Sequence, residues 1–287
     1  MSMTTERIAL VLGGGGSLGA VEVGFIRRLM ELDVHFDMMV GTSVGALNAG
    51  HVAFHDTNSH NCLEQIWLGL AGQKLYSRNP LRVALGLRRS RLSLYDNRFL
   101  RGLLAEHLAE DLIESARIPL YITATDICSG ERRVFSSGKL SDAILASTAV
   151  PGLFPPVRID DRLYVDGGVT SGGDIAVAID HGATTVVYID LRPRFAYRCP
   201  RNIFEVISRS FELLAEDRAS CAIEHRGYSA NVVHIQPGLS GSRGDFSDAP
   251  ALLSTSYLMA CAILDRCRVG GAFQPGHFHG DPSENAA

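Results

Sequence analysis

The chain has 287 residues, of which 46% are hydrophobic and 20% charged, and its formal net charge is −4. This length and composition predict a globular protein with one sizeable domain or two small ones, and exclude a disordered or fibrous chain. The net negative charge excludes an overall basic footprint for nucleic acid.

The six cysteines include no C-x-x-C pair, which argues against a disulfide framework and a zinc site and favours reduced thiols in a cytoplasmic protein. The apolar run Ile8–Leu12 is too short for a signal peptide and leads directly into glycines, so a buried first strand explains it better. No apolar stretch approaches the ~18 residues of a membrane span.

The chain alternates short apolar runs with segments of helical period. The predicted strands are Ile8–Leu12, Met38–Val40, Pro119–Thr125, Arg133–Phe135, Leu163–Val165, Val186–Ile189 and Val232–Ile235. The predicted helices cover 20–32, 46–54, 100–108, 141–151, 174–181, 202–226 and 248–268. This order predicts an α/β fold, a three-layer α/β/α sandwich with a mostly parallel central sheet.

A single domain is expected over residues 7–269, with a basic excursion or cap at 74–101 and a flexible C-terminal tail at 270–287. The excursion contains eight basic residues and one acid, Asp96. It would suit peripheral contact with an anionic membrane surface, or its arginines would pair with the acidic body. His277 and His279 in the tail are not expected to bind metal.

Gly41-Thr42-Ser43-Val44-Gly45 fits the G-x-S-x-G nucleophile elbow, in which a serine lies on a sharp turn between a strand and a helix. Met38–Val40 supplies the strand and the segment from Ala46 the helix. The flanking glycines clear space for the strained turn, and the helix N-terminus favours developing negative charge. A chance match in a glycine-rich chain is the alternative.

The loop Gly14 to Gly19 fits G-x-G-x-x-G and allows two interpretations. A dinucleotide site needs an acid at the end of the second strand, but Asp37 precedes that strand. A P-loop needs a Gly-Lys-Ser/Thr sequence, which is absent. In the second interpretation the amides of Gly15 and Gly16 form an oxyanion hole facing Ser43, since loops after neighbouring parallel strands meet at one edge.

A nucleophilic serine needs a base, and Asp166 is the best-placed candidate. It ends a predicted strand and is followed by Gly167 and Gly168, although Asp-Gly is also a common turn. His181, His225 and His234 would fit a Ser-Asp-His order, but none lies in an obvious loop after a strand.

These segments together resemble the patatin-like phospholipase family over roughly residues 7–190. The matching segments are LGGGGSLGAVEVGFIRRLMEL, FDMMVGTSVGALNA, PLYITATDICSGERRVF, ASTAVPGLFPPV and YVDGGV. The resemblance implies a lipid acyl hydrolase of phospholipase A or carboxylesterase type, with a Ser43–Asp166 dyad, Gly15 and Gly16 as oxyanion donors, a lipid or phospholipid ester as substrate, and no cofactor or metal.

The chain departs from the family at two places. The family usually has Arg or Lys where Leu18 stands, and Asn and Pro after Asp-Gly-Gly, where this chain has Thr170-Ser171-Gly172-Gly173-Asp174. These departures motivate one alternative, a catalytically weak or silent lipid-binding protein. The glycine loop alone motivates another, a nucleotide-binding α/β module.

Overall fold

The computed structural model describes residues 6–55, 59–71, 92–108, 111–171, 174–192, 230–239 and 246–280, with the single residues 199, 206, 209 and 213. The predicted helix at 202–226 lies almost wholly outside this part of the chain. So do residues 74–91 of the predicted cap and residues 281–287 of the predicted tail.

The described strands form one large sheet and one small hairpin. The large sheet contains β1 (Ile8–Leu12), β2 (Met38–Thr42), β3 (Leu120–Asp126), β4 (Arg132–Phe135), β5 (Val157–Ile159), β6 (Arg162–Asp166), β7 (Thr185–Ile189), β8 (Asn231–Gln236) and β11 (Gly276–His279). The hairpin contains β9 (Arg268–Val269) and β10 (Ala272–Phe273).

The large sheet has the order β11-β8-β7-β1-β2-β3-β6-β5, with β4 paired to β3. The ladder from β11 through β8, β7, β1 and β2 to β3 is parallel throughout. Both β4 and β6 run antiparallel to β3. Loops that follow β1, β2 and β7 therefore meet at one edge, where a site for chemistry is expected in this class of sheet.

Helices cover both faces of the sheet. The described helices are α1 (Gly19–Glu31), α2 (Val44–Phe54), α3 (Ser59–Ala71), α4 (Arg98–His107), α5 (Leu140–Ser147), α6 (Ile175–Asp180) and α7 (Ala249–Cys267).

Alternate residues of β1 belong to two separate cores, because successive strand side chains point to opposite faces. Leu10 and Leu12 pack in the larger core with residues of α1, α2, α3, α5 and α7. Ala9 and Val11 pack in the smaller core with Ile175 and neighbouring residues of α6. The predicted α/β fold, with helices on both sides of a large and mostly parallel sheet, is confirmed.

Helix α3 was not predicted, although its residues show a helical pattern. Leu63, Ile66, Trp67 and Leu70 have the i, i+3, i+4, i+7 spacing of one helical face, and all four are buried.

The segment predicted as a flexible tail from residue 270 contains two ordered strands in the structure. Residues 272–273 and 276–279 are strands, and β11 adds to the sheet beside β8. Phe273 is buried and Phe278 packs against the larger core. Strand β11 was not predicted because its sequence, with a glycine and two histidines, lacks the alternation of apolar and polar residues that marks a strand. It is held in the sheet by backbone pairing with β8. Within the described residues, no helix has both the length and the apolar character that crossing a membrane requires.

Candidate active site

Ser43 lies on a strained turn between β2 and α2. Its backbone has φ 56° and ψ −124°, a conformation that side-chain-bearing residues rarely adopt. Ser43 is the N-cap residue of α2, so its hydroxyl lies beside the positive end of a helix dipole. The turn thus has the strand–turn–helix geometry that the G-x-S-x-G pattern predicts, and Ser43 is buried with 9% of its surface exposed.

The two glycines beside Ser43 allow close backbone packing. A Cβ on Gly41 would lie 2.6 Å from both the Cα of Ala46 and the carbonyl oxygen of Gly45. A Cβ on Gly45 would overlap the carbonyl oxygen of Leu12, the last residue of β1. Glycine at both positions therefore lets α2 begin directly against the end of β1.

The hydroxyl of Ser43 donates a hydrogen bond of 2.6 Å to Oδ2 of Asp166. The other carboxylate oxygen, Oδ1, accepts a bond of 2.8 Å from the amide of Gly168. Asp166 ends β6 and lies opposite Ala124 of β3, while Thr42 lies opposite Thr123 of the same strand. Two ladders on one strand thus bring together side chains 123 residues apart.

Burial raises the pKa of Asp166 to about 6, and the hydrogen bonds from Ser43 and from the amide of Gly168 act in the opposite direction. Only 6% of this residue remains exposed. An ordinary aspartate is a weak base at neutral pH. A raised pKa makes Asp166 a better proton acceptor while leaving it ionised above about pH 6.

The glycine loop follows β1 and lies against the elbow. A Cβ on Gly14 would come 3.2 Å from the Cβ of Ser43, so this residue is the loop's close contact with the serine. A Cβ on Gly15 would lie 2.7 Å from Cδ1 of Leu191, and Gly16 has φ 60°. Both positions therefore favour glycine, and Gly14 is the residue of this stretch whose Cβ would meet Ser43.

Gly19 and Gly167 have packing roles. A Cβ on Gly19 would lie 2.5 Å from Cγ2 of Val44 and 2.7 Å from the ring of Trp67, where α1 begins. A Cβ on Gly167 would lie 2.5 Å from the carbonyl oxygen of Thr123. These two glycines hold the loops close together at the sheet edge.

The residues weighed for other interpretations lie elsewhere. The carboxylate of Asp37 accepts a bond of 2.7 Å from the amide of Ile8, at the start of β1 and so at the edge opposite the glycine loop. His181 ends α6, with Nδ1 2.8 Å from the carbonyl oxygen of Val177. Nε2 of His234, on β8, lies 2.9 Å from the carboxylate of Asp190. His225 is outside the described residues.

Two sets of side-chain contacts beside the turn were not predicted from the sequence. Next to Ser43 in the chain, the hydroxyl of Thr42 donates a hydrogen bond of 2.7 Å to buried Asp174, which also forms a 3.2 Å ion pair with Arg132. The hydroxyl of Ser147 accepts a bond of 2.8 Å from the amide of Ser43. These partners are 132, 42 and 104 residues apart along the chain, so no local pattern marks them.

A third network supports the helix behind the glycine loop. The side-chain amide of Asn48 donates hydrogen bonds of 2.7 Å to the carboxylate of Glu22 and of 3.0 Å to the carbonyl oxygen of Gly19. Its oxygen accepts a hydrogen bond of 3.0 Å from the indole N–H of Trp67. Burial raises the pKa of the Glu22 carboxyl well above its usual range.

Comparison with known proteins decides the family. The family model described as "Patatin-like phospholipase" matches residues 10–179, which include Ser43, Asp166 and the glycine loop. The chain belongs to the patatin-like phospholipase family.

Two curated relatives illustrate this membership. "Patatin-like phospholipase domain-containing protein 7" of Rattus norvegicus is 29% identical over 194 residues, which cover 67% of this chain and 14% of the relative. An "Uncharacterized NTE family protein" of Mycobacterium tuberculosis is 34% identical over 170 residues, which cover 58% of this chain and 44% of the relative. This chain therefore spans less than half the length of either relative.

Among solved structures, VipD from Legionella pneumophila aligns over 92% of this chain and 67% of its own, with 15% sequence identity and a TM-score of 0.46.

This patatin-like phospholipase family member has an apolar residue in its glycine loop. Leu18 is 2% exposed and belongs to the larger core. The stretch from Gly13 to Gly19 contains no charged residue, so any electrostatic contribution from this loop comes from its amides.

Proposed function

We propose that this chain is a lipid acyl hydrolase that cleaves carboxylic esters, with Ser43 as nucleophile and Asp166 as base. The 2.6 Å hydrogen bond between these two side chains, at a strained turn on a helix N-terminus, is the observation that carries the proposal. Membership of the patatin-like phospholipase family supports an ester of a lipid or phospholipid as substrate.

In this proposal the reaction proceeds in two half-reactions. Oγ of Ser43 attacks the ester carbonyl carbon while its proton passes to Oδ2 of Asp166, and the carbonyl oxygen becomes an oxyanion. Collapse of this intermediate breaks the bond to the alcohol, which takes the proton from Asp166 and leaves an acyl-Ser43. Water then attacks the acyl group, giving its proton to Asp166, and the acid leaves as the proton returns to Oγ of Ser43.

The oxyanion is stabilised in this proposal by the amides of Gly15 and Gly16. Glycine at both positions lets an ester approach the backbone, and donors of this kind are worth on the order of 10²–10³ in rate each. No metal or organic cofactor is required, because the serine supplies the nucleophile.

Residues 74–101 are proposed to contact an anionic lipid surface. The segment has eight basic residues against one acid, and such an excess favours anionic headgroups. In its described part, Leu92 is 63% exposed and Phe99 is 37% exposed, as expected of a surface that meets acyl chains.

Covalent labelling with a fluorophosphonate tests the proposed nucleophile. We expect the purified chain to form an adduct on Ser43 and to release fatty acid from phospholipid vesicles. Ser43→Ala should abolish both signals, and Asp166→Asn should abolish hydrolysis. Ser256→Ala is the matched control, because this buried serine of α7 donates only to the carbonyl oxygen of Leu253 in its own helix.

Two results would contradict the proposal. Folded protein without an adduct on Ser43 and without hydrolysis would instead favour a silent lipid-binding protein. Nucleotide absorbance that co-purifies with the protein, together with inert Ser43, would favour a nucleotide-binding module.

A further inference from the structure

One short segment, residues 147–149, contacts the backbone of both proposed catalytic residues. The hydroxyl oxygen of Ser147 accepts a 2.8 Å hydrogen bond from the amide of Ser43. Two residues later, the carbonyl oxygen of Ala149 accepts a 2.9 Å bond from the amide of Asp166. The segment therefore ties together β6 and the turn after β2, which are separated along the chain by several helices and strands.

The contact with Ser43 satisfies an amide that the strained turn would otherwise leave unpaired. Ser147 is fully buried and Ser43 is 9% exposed, so the solvent has little access to this amide. A buried N–H group without a partner is costly, and the turn would relax towards a conformation that pairs it. Because Oγ of Ser43 is attached to that backbone, such relaxation would move the nucleophile.

The segment is itself held firmly. It ends α5, whose inner residues Ala143, Ile144 and Ala146 are buried. The hydroxyl of Thr148 donates a hydrogen bond of 2.7 Å to the carbonyl oxygen of Ile144. The amide of Ala149 donates a hydrogen bond of 3.3 Å to the carbonyl oxygen of Ala146. A well-anchored helix end therefore fixes the position of the acceptor oxygen.

We infer that Ser147 is a positioning residue: its hydroxyl holds the amide of Ser43 and so keeps Oγ of Ser43 in line with Asp166. This inference rests on the proposed function, since it assigns a role relative to the proposed nucleophile and base. Ser147 does not touch the reacting atoms and acts through the backbone of Ser43.

The test compares Ser147→Ala, Ser147→Cys and the control Ser256→Ala in the full chain, using a soluble p-nitrophenyl ester. Ser147→Ala should lower kcat by about 10- to 100-fold with little change in KM, because substrate contacts remain while the nucleophile is displaced. Ser147→Cys, with a similar volume and a weaker acceptor, should fall between wild type and Ser147→Ala. Ser256→Ala should match wild type.

Two further readouts separate positioning from general loss of structure. Amide hydrogen exchange at Ser43 should accelerate in Ser147→Ala, while exchange in β1 stays as in wild type. The acid limb of the pH–rate profile should move to higher pH, because a weaker hydrogen bond from Ser43 leaves the pKa of Asp166 higher.

Wild-type kcat in Ser147→Ala together with faster exchange at Ser43 would overturn the inference, and so would unchanged exchange at that amide. If wild type itself hydrolyses no ester, the proposed function fails, whereas the exchange measurement still tests the hydrogen bond. If Ser147→Ala does not fold, as judged by Trp67 fluorescence, the ranking of Ser147→Cys against wild type decides.

Discussion

The hydroxyl of Thr42 donates a 2.7 Å hydrogen bond to Asp174, immediately before the turn that presents Ser43. Asp174 is 1% exposed, and its second oxygen forms a 3.2 Å ion pair with Arg132 of β4. The buried carboxylate of Asp174 thus accepts a hydrogen bond from the last residue of β2, and the guanidinium of Arg132 balances its negative charge.

Arg132→Gln should therefore destabilise the protein and reduce activity. Removing the cation leaves the buried carboxylate of Asp174 with less compensation, and because Arg132 is about one-third exposed we expect a loss of about 1–3 kcal/mol in the free energy of unfolding. Urea denaturation followed by Trp67 fluorescence measures this, since Trp67 is the only tryptophan of the chain. Arg133→Gln is the matched control, because Arg133 is the next residue of the same strand and its guanidinium lies over the ring of Phe135, whereas the ion pair with Asp174 is made by Arg132. Equal midpoints for the two variants would refute the role of the ion pair.

The pH dependence of hydrolysis should follow the ionisation of Asp166. The carboxyl must be deprotonated to accept the serine proton, and its pKa is raised to about 6. Values of kcat/KM should therefore fall about tenfold per pH unit below about pH 6 and level off above it. Steady-state assays from pH 4.5 to 8 with a soluble ester measure this limb.

Histidine is the competing explanation for a limb near pH 6. Glutamine variants of His181, His225 and His234 should keep both the limb and the plateau rate. A histidine variant that removed activity, combined with an active Asp166→Asn, would show that the base has been misassigned.

Glu22→Gln should make stability less dependent on pH. Burial raises the pKa of this carboxyl, so the folded state binds its proton more tightly than the unfolded chain. The stabilising effect is complete below the unfolded pKa of about 4.3 and is lost as the pH rises towards the folded value. The variant should gain stability relative to wild type between pH 5 and pH 8, as measured by urea denaturation. Parallel curves for the two proteins across this range would contradict the prediction.

Gly45→Ala should prevent normal folding of the elbow. The added Cβ would overlap the carbonyl oxygen of Leu12 and lie 2.7 Å from that of Gly13, and backbone atoms at this position cannot move independently of the sheet. We expect a loss of several kcal/mol, or insoluble protein. Gly102→Ala in α4, where a Cβ meets nothing within 4 Å, should instead gain about 0.5–1 kcal/mol. A Gly45→Ala protein as stable as wild type would mean that α2 and β1 approach less closely.

The elements that place the proposed nucleophile were predictable because their signals are local. An apolar strand, glycines two residues either side of Ser43 and a following helix lie within 17 consecutive residues, Met38–Phe54. Asp166 was also predictable as a residue at a strand end, yet its strand runs antiparallel to β3, a direction that no local pattern indicates.

The supporting residues were not predictable from one sequence. Ser147 and Asp174 contact the elbow through single hydrogen bonds across 104 and 132 residues, and their own neighbours resemble ordinary helix termini. The departure at 170–174 motivated the alternative of a catalytically weak protein, and Asp174 of this stretch is a buried acceptor for the hydroxyl of Thr42, a contact that the sequence does not indicate. Such roles depend on which loops the tertiary fold brings together.

The 123-residue separation between Ser43 and Asp166 has a kinetic consequence. Closing so long a loop costs entropy before any contact repays it, so high-contact-order pairings form late. During renaturation, the indole of Trp67 has to meet Asn48 of α2, Gly19 of α1 and the distant Phe246, whereas hydrolysis also requires β6 to have docked on β3. Recovery of the proposed hydrolysis should therefore not precede the docking of β6, and its time course would report completion of the sheet.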